Sequence, residues 1–479
     1  MKQLSYTLTL KILSMIISFF ISIAIIKRLS IEEYGVYSLL ISIISISVMV
    51  FSFNIQELLF VRLSKIKSKL QISQMISTTN TTVFAIYGFL IVLILFTPLK
   101  GLILKSFDLT NYSQAFEFTI YYIFVYSLIL TFMRYFMFTS QAIKYSFSEF
   151  LIAILWIVPF LFYGSLNVTD IMFYKFLTVV LILLAMFIVF YKQNISLGIF
   201  ENFDKDYLKE AFIFGMATFL PSLCIYILAV VSVFFLSYLD TNEAVALFSL
   251  GNLPFTILNS ILSSTLILIL LPKINHYHKE RNSRKYLLIS KIFQIILMLL
   301  IPISSFIVAF SSEIILLLSK KEYLVVSDSF IYFSLVLILT TLVAFLKQEL
   351  YLERKYKKLL IVFLPGVILN AVCNFIFIPI YSYLGAVISL LITYLYIFIA
   401  LLIITKIYKY LIIKSNNVIM IIALNIGFIF IFIFINYCKN LFVIDSMIIV
   451  FFAITLLSIF LFLPYFYYFY KKDFFKGVL

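Results

Sequence analysis

The sequence predicts an all-α polytopic membrane protein of about 14 transmembrane helices. Two observations favour this fold class: 64% of the 479 residues are hydrophobic and only 12% are charged, and the mean hydropathy is +1.16. Such a composition excludes a set of soluble domains. The apolar stretches have the length of about 17 to 25 residues that a membrane helix needs, without the alternation of β-barrel strands.

Charged residues between the apolar stretches set the boundaries of the predicted helices. In chain order, the predicted spans cover residues 8–26, 34–55, 80–98, 115–138, 147–163, 171–191, 211–238, 244–271, 287–310, 328–351, 359–380, 384–405, 417–436 and 446–470. The first stretch lacks a small-residue cleavage site and is followed by Lys27 and Arg28. We therefore expect it to remain as the first span.

The distribution of Lys and Arg predicts the orientation of the chain. If the N-terminus is cytoplasmic, 25 of the 36 cations fall in inner loops and termini, 7 fall in outer loops, and four lie within spans. Cytoplasmic loops of membrane proteins carry an excess of Lys and Arg. The sequence thus predicts that both termini are cytoplasmic.

Two similar segments, 29–33 and 239–243, follow the first and seventh spans and indicate an internal repeat. Each is expected to start a helix, because Ser30 or Asp240 can cap it while Glu33 or Glu243 returns a hydrogen bond to the cap. Two parallel six-helix halves produce such a repeat. The predicted domains are an N-terminal lobe of helices 1–6 at 1–205, a C-terminal lobe of helices 7–12 at 206–410, and helices 13–14 at 411–479.

Apart from Lys291, which is counted with the inner segment before it, four cations lie within predicted spans: Lys11, Arg134, Lys175 and Lys347. A charge at the bilayer centre costs about 2.5 to 3.5 kcal/mol, so it faces the bundle interior or water unless it reaches the interface by snorkelling. Both explanations stay open here. The predicted topology places Lys175 toward the outside and the other three toward the cytoplasm. A net positive interior favours an anionic substrate, and the arginine fork suits phosphate oxygens.

Asn370 and Asn374 are four residues apart and therefore share one face of the eleventh predicted helix. In a membrane, such amides either bond to a neighbouring helix or line a wet cavity. Pro379, Gly385 and Ala386 follow at a short hairpin, where small residues let two helices approach closely.

The sequence offers no residues for cofactor, metal or hydrolase chemistry. The three cysteines are far apart, and His276 and His278 lie in a basic segment that we expect to be a solvated loop. No phosphate-binding glycine loop or catalytic serine motif occurs, and the basic residues form no nucleic-acid module. The longest outer loop, 99–115, is too short for a folded domain. We therefore predict neither an enzyme, nor a cofactor, nor a metal site.

Two segments resemble the Wzx-type polysaccharide flippases of the multidrug/oligosaccharidyl-lipid/polysaccharide exporter superfamily. Residues 28–38 read R-L-S-I-E-E-Y-G-V-Y-S, where that family typically reads R-x-L-G-x-x-E-Y-G-x-Y-S. The order of Asn, Pro, Gly and Ala across 370–386 is also similar to the family's eleventh and twelfth helices. Ser30 stands in place of the usual glycine, and residues 227–233 lack the acidic residue that many members carry in helix seven.

The resemblance implies a flippase that moves undecaprenyl-pyrophosphate-linked oligosaccharide repeat units, such as those of O-antigen, across the bacterial inner membrane by alternating access. It implies the lipid-linked oligosaccharide, membrane lipids and other polysaccharide-assembly proteins as partners. The candidate substrate-binding residues are Arg134, Lys11, Lys347, Lys175, Asn370 and Asn374. Two alternatives are a membrane-embedded polymerase or glycosyltransferase of the same pathway and a multidrug exporter relative.

Overall fold

The computed structural model describes residues 2–56, 68–138, 142–192, 203–279, 284–353 and 355–409, and the fold in these ranges is helical. Within them, 11 segments are long and apolar enough to span a membrane. The predicted class, an all-α polytopic membrane protein, is thereby confirmed. The predicted thirteenth and fourteenth helices lie outside the described residues, so the number of 14 stays a prediction.

The chain forms two compact units, Met1–Leu247 and Phe248–Leu479. The first unit contains α1 (Lys2–Arg28), α2 (Ile31–Ser52), α3 (Lys69–Leu95), α4 (Leu99–Ser106), α5 (Ser113–Phe138), α6 (Ala142–Phe162), α7 (Val168–Lys192) and α8 (Lys205–Leu239). The boundary falls within α9 (Asn242–Lys279). The second unit continues with α10 (Arg284–Ala309), α11 (Ser311–Leu318), α12 (Phe330–Leu352), α13 (Tyr356–Tyr381) and α14 (Tyr383–Thr405).

Helix α5 is the central helix of the first unit. It packs against α2, α3, α6 and α7, while α1 packs mainly against α6. Of the apolar segment of α5, 67% is buried inside the protein, compared with 17% for α1. A polar side chain on α5 therefore faces other helices, where it needs a polar partner or a cavity.

The structure at the start of α2 gives a reason for three residues of the segment that resembles the flippases, namely Ser30, Glu33 and Gly35. The Ser30 hydroxyl accepts a hydrogen bond from the Glu33 amide at 3.2 Å, and the Glu33 carboxylate accepts one from the Ser30 amide at 3.1 Å. The predicted capping box is therefore confirmed. Gly35 lies directly against the backbone carbonyl of Asn242, where a Cβ atom would overlap the oxygen. Glycine is needed there because two backbones touch.

In three places the local structure differs from what the sequence led us to expect. The N-cap of α9 is Thr241 and not the predicted Asp240, since the Thr241 hydroxyl accepts a hydrogen bond from the Ala244 amide at 3.2 Å. Asp240 instead caps the C-terminal end of α8. The expected outer loop at 99–115 folds into α4 and a short 3-10 turn, and Lys100 of α4 forms an ion pair with Glu117 of α5. Helix α9 continues to Lys279, so the two histidines lie in a helix.

In the second unit, α13 and α14 form the tight hairpin that the sequence predicts. They meet at Ser382, which has a positive φ of 54°, and Pro379 lies within the last turn of α13. A Cβ atom on Gly385 would overlap the carbonyl group of Phe377, and Ala386 is fully buried. The prediction of a closely packed turn is confirmed. Helix α14 also packs against α12.

Candidate anion-binding cavity of the first unit

Helices α1, α5 and α6 line a half-open cavity of about 420 Å³ in the first unit. Its wall contains Lys11 from α1, Arg134 from α5 and Glu149 from α6. Tyrosine side chains supply most of the remaining polar atoms, namely Tyr122, Tyr126 and Tyr145. Two of the four cations predicted from the sequence thus lie in one cavity.

The spacing of residues along each helix explains why these side chains meet. On α5, Tyr122, Tyr126, Leu130 and Arg134 recur every four residues and line the cavity from one face of the helix. On α6, residues 145, 149 and 152 follow the same helical period, as do residues 11, 14 and 15 on α1. The packing of α6 against both α1 and α5 brings the three faces together.

Glu149 is held by two hydrogen bonds within the cavity wall. The Tyr145 hydroxyl donates to the Glu149 carboxylate at 2.9 Å, and the Ser14 hydroxyl donates to the Glu149 backbone carbonyl at 3.4 Å. The second bond joins α1 to α6. The first bond holds the Glu149 carboxylate at the cavity wall.

The formal charge of the cavity is positive. Two cations, Lys11 and Arg134, stand against one carboxylate, Glu149, and all three side chains are partly buried. The charges of Arg134 and Glu149 both act on the hydroxyls of Tyr126 and Tyr145, so the polar groups form one electrostatic cluster. A partly buried cluster with excess positive charge attracts an anion, because charges interact more strongly away from bulk water.

Lys175 on α7 lies behind the cavity wall. Its Nζ is 4.8 Å from the centroid of the Trp156 ring and 5.6 Å from that of Tyr122. The Tyr122 ring stacks on Tyr126 with a centroid distance of 5.3 Å and an angle of 19°. Both tyrosines line the cavity, whereas Lys175 does not.

The remaining candidates belong to the second unit. Lys347 is a partly buried residue of α12. Asn370 donates to the Thr393 hydroxyl of α14 at 3.0 Å, and Asn374 donates to the Asn370 side-chain oxygen at 2.8 Å. Both amides are fully buried. These bonds hold α13 and α14 together, which is the first of the two roles that the sequence left open.

The sequence interpretation missed the part that Glu149 and the tyrosines play. It began the fifth span at residue 147, because Lys144 was assigned to a loop, and so placed Glu149 near the end of a helix. Helix α6 begins at Ala142, which puts Glu149 two turns inside it. The four-residue spacings from Tyr122 to Tyr126 and from Tyr145 to Glu149 were the available signal. Among the described residues, no cluster of His, Cys, Asp and Glu could hold a metal ion.

A helical membrane fold with a cationic cavity is typical of a membrane transporter, and comparisons with known proteins show the family. Residues 59–458 match the family described as lipid II flippase MurJ. The chain belongs to this family, whose members are flippases and not enzymes. The family match does not reach the narrower Wzx type, which stays a prediction. Among proteins with curated functions, none matches the sequence.

Solved structures show the same fold at low sequence identity. Lipid II flippase MurJ in an inward closed conformation is 18% identical, with a TM-score of 0.71 over 97% of this chain and 99% of that chain. An inward-facing multidrug resistance MATE family transporter of the MOP superfamily is 15% identical, with a TM-score of 0.60 over 85% and 96%. A MOP superfamily transporter from Pyrococcus furiosus is 16% identical, with a TM-score of 0.53 over 85% and 96%.

Proposed function

We propose that this flippase moves a polyprenyl-pyrophosphate-linked oligosaccharide repeat unit across the bacterial inner membrane, and that the cavity of the first unit holds the pyrophosphate. The observation that carries the proposal is the convergence of Lys11 and Arg134, from two different helices, on one cavity. Cations inside a membrane protein mark substrate pathways when they face an interior cavity. A multidrug exporter for organic cations would need the opposite charge balance there.

The geometry suits the phosphate end of such a lipid. The Arg134 guanidinium can donate two parallel hydrogen bonds to phosphate oxygens, while the Lys11 ammonium supplies a compact second charge. A volume of about 420 Å³ lies within the range of about 300 to 1,000 Å³ for small-molecule sites. It suits a pyrophosphate with its adjoining sugar, and the prenyl tail would remain in the bilayer.

Two lipid-linked saccharides carry the pyrophosphate that such a cationic cavity would bind. The segment 28–38 favours an oligosaccharide repeat unit, because it resembles the polysaccharide flippases. The family match favours lipid II as the second candidate. We commit to the repeat unit. Lys347 remains a candidate residue of the second unit, whereas we assign Asn370 and Asn374 to the packing of the α13–α14 hairpin. Other polysaccharide-assembly proteins are proposed as partners.

The substrate can be identified in a strain that lacks this protein. Mass spectrometry would identify the sugar lipid that accumulates, and a membrane-impermeant sugar-oxidising reagent applied to spheroplasts would report its side of the membrane. We expect unpolymerised repeat units that are protected from the reagent. Accumulation of lipid II would show that the substrate is lipid II, the second candidate, and not the repeat unit. Repeat units that react with the reagent would instead indicate a polymerase.

The direction of transport requires a defined orientation of the chain. We predict that both termini and the segment from Pro272 to Leu288 face the cytoplasm, because 25 cations lie on that side in the sequence assignment. Fusions of a periplasm-dependent alkaline phosphatase after Leu479 or within that segment should be inactive. A fusion between Gly101 and Lys105 provides the active control, and phosphatase activity at either of the first two sites would overturn the orientation.

A further inference from the structure

Lys175 occupies an aromatic site between three helices of the first unit. Helix α7 packs against α5 and α6, and the Lys175 ammonium lies over the ring of Trp156 at 4.8 Å and over that of Tyr122 at 5.6 Å. Across the residues that the structure describes, no carboxylate forms an ion pair with Lys175. Its charge is therefore stabilised by aromatic faces, which attract cations through their quadrupoles.

The two rings beneath Lys175 differ in their position. Trp156 is 8% exposed and packs edge-on against Phe160 at 5.4 Å, so it belongs to the interior of the helix cluster. Tyr122 contacts Lys175 and also lines the cavity that holds Lys11 and Arg134. Tyr122 is thus the connection between Lys175 and the cavity.

A contact of this kind restrains the orientation of a ring. Tyr122 packs on Tyr126 within the cavity wall, with ring planes only 19° apart, and Lys175 adds a second restraint. A cation–π contact between desolvated groups is among the stronger non-covalent side-chain contacts. The charge of Lys175, which no carboxylate neutralises in the described part of the chain, also adds to the positive potential of the cavity.

We propose that Lys175 is a positioning residue, which holds Tyr122 in the cavity wall and raises the affinity of the cavity for a prenyl pyrophosphate without contacting it. This inference rests on the proposed function, since it assumes that the cavity binds the pyrophosphate. It replaces the direct contact expected for Lys175 from the sequence.

The fluorescence of Trp156, the single tryptophan of the chain, can be used to measure ligand binding. Because Trp156 is the only tryptophan, the intrinsic fluorescence of the purified full-length protein in detergent reports on the ring next to Lys175. Farnesyl pyrophosphate is a suitable short-chain probe. We expect saturable quenching in the wild-type protein, with a Kd about tenfold higher for Lys175→Met and a wild-type-like Kd for Lys175→Arg.

The variants separate positioning from folding. Methionine keeps the length of the side chain and packs well against aromatic rings, so Lys175→Met should still fold, whereas arginine keeps the cation over the rings. Lys192→Met removes an exposed lysine at the end of the same helix and is the matched control. Thermal unfolding of each variant, measured in the same detergent, reports any loss of folded protein.

Each result has a distinct meaning. The positioning role would be overturned by a Kd for Lys175→Met within twofold of the wild-type value. It would also be overturned if Lys175→Arg lost as much affinity as Lys175→Met. If binding is lost in Arg134→Ala but unchanged in Lys175→Met, the proposed function stands and this inference alone fails. If the wild-type protein shows no saturable binding, the proposed phosphate site itself is wrong.

Discussion

The cavity of the first unit and the α13–α14 hairpin of the second unit both place polar side chains within membrane helices, but they use them differently. In the hairpin, the Asn370 and Asn374 amides donate to partners on the same two helices and are fully buried. In the cavity, Lys11 and Arg134 are only partly buried and face an open volume. The hairpin amides therefore stabilise the fold, whereas the cavity cations line a volume that a ligand can enter.

This difference separates polar residues that pack helices together from polar residues that face a cavity. A polar group whose hydrogen bonds are made by an adjacent helix adds about 0.6 kcal/mol to helix association on average. A cation that lines a cavity inside a membrane protein instead marks a candidate site for an anionic ligand. The predictions below test the distinction by changing one region at a time.

Arg134→Ala should reduce transport about 100-fold while the protein still inserts. The change removes the two charge-assisted hydrogen bonds that we propose to the substrate phosphate, and it also removes a charge whose insertion is unfavourable. Arg134→Lys should retain part of the activity, because the charge is kept and the fork is lost. The measurement is surface polysaccharide per unit of membrane-inserted protein.

The control for Arg134 is Lys144→Ala. Lys144 is exposed on the first turn of α6, where it lies over the Phe136 ring at 5.8 Å, and it does not line the cavity. It should behave like the wild-type protein. Wild-type transport by Arg134→Ala would show that this arginine only snorkels to the interface.

Gly385→Leu and Ala386→Leu should destabilise the hairpin by about 2 to 3 kcal/mol, because neither site can hold a larger side chain without separating the helices. We expect a several-fold loss of inserted protein on immunoblots of membranes. Gly88→Leu on α3 is the matched control, since a Cβ atom there meets nothing within 4 Å. Normal abundance of both hairpin variants would rule out the close approach.

Asn370→Ala should lower stability by about 1 kcal/mol, because it breaks the bond to Thr393 and removes the acceptor of Asn374. Transport per inserted molecule should stay unchanged. Thermal inactivation in detergent and transport normalised to abundance measure the two effects separately. A loss of transport at normal stability would place the amide in the substrate path and end the contrast between the two regions.

Tyr145→Phe should reduce transport by about two- to tenfold, which is the smallest effect that we expect for a residue of the cavity. The variant keeps the ring and loses one hydrogen bond to Glu149, which typically contributes about 0.5 to 1.5 kcal/mol. The released carboxylate can then compete with the substrate phosphate for Lys11 and Arg134. An apparent KM that rises with little change in maximal rate would support this competition, and an unchanged KM would contradict it.

The sequence by itself determined the fold class, the interior cations and the tight hairpin. Long apolar stretches predict spanning helices because the bilayer admits little else, and Lys11, Arg134 and Lys175 stand out because charges in such stretches are rare. Gly385 and Ala386 were also recognisable, since small residues at a short turn indicate close helix packing. These properties depend on local composition, which a sequence shows directly.

Only the tertiary structure decided which polar groups meet. Lys11, Arg134 and Glu149 are far apart in the chain and share a cavity because α1, α5 and α6 pack with particular faces inward. The same packing puts Lys175 behind Tyr122 and gives Asn370 a partner on α14. Hydropathy determines whether a helix spans the membrane. The rotation of that helix about its own axis is set by side-chain packing against neighbouring helices, which hydropathy does not encode.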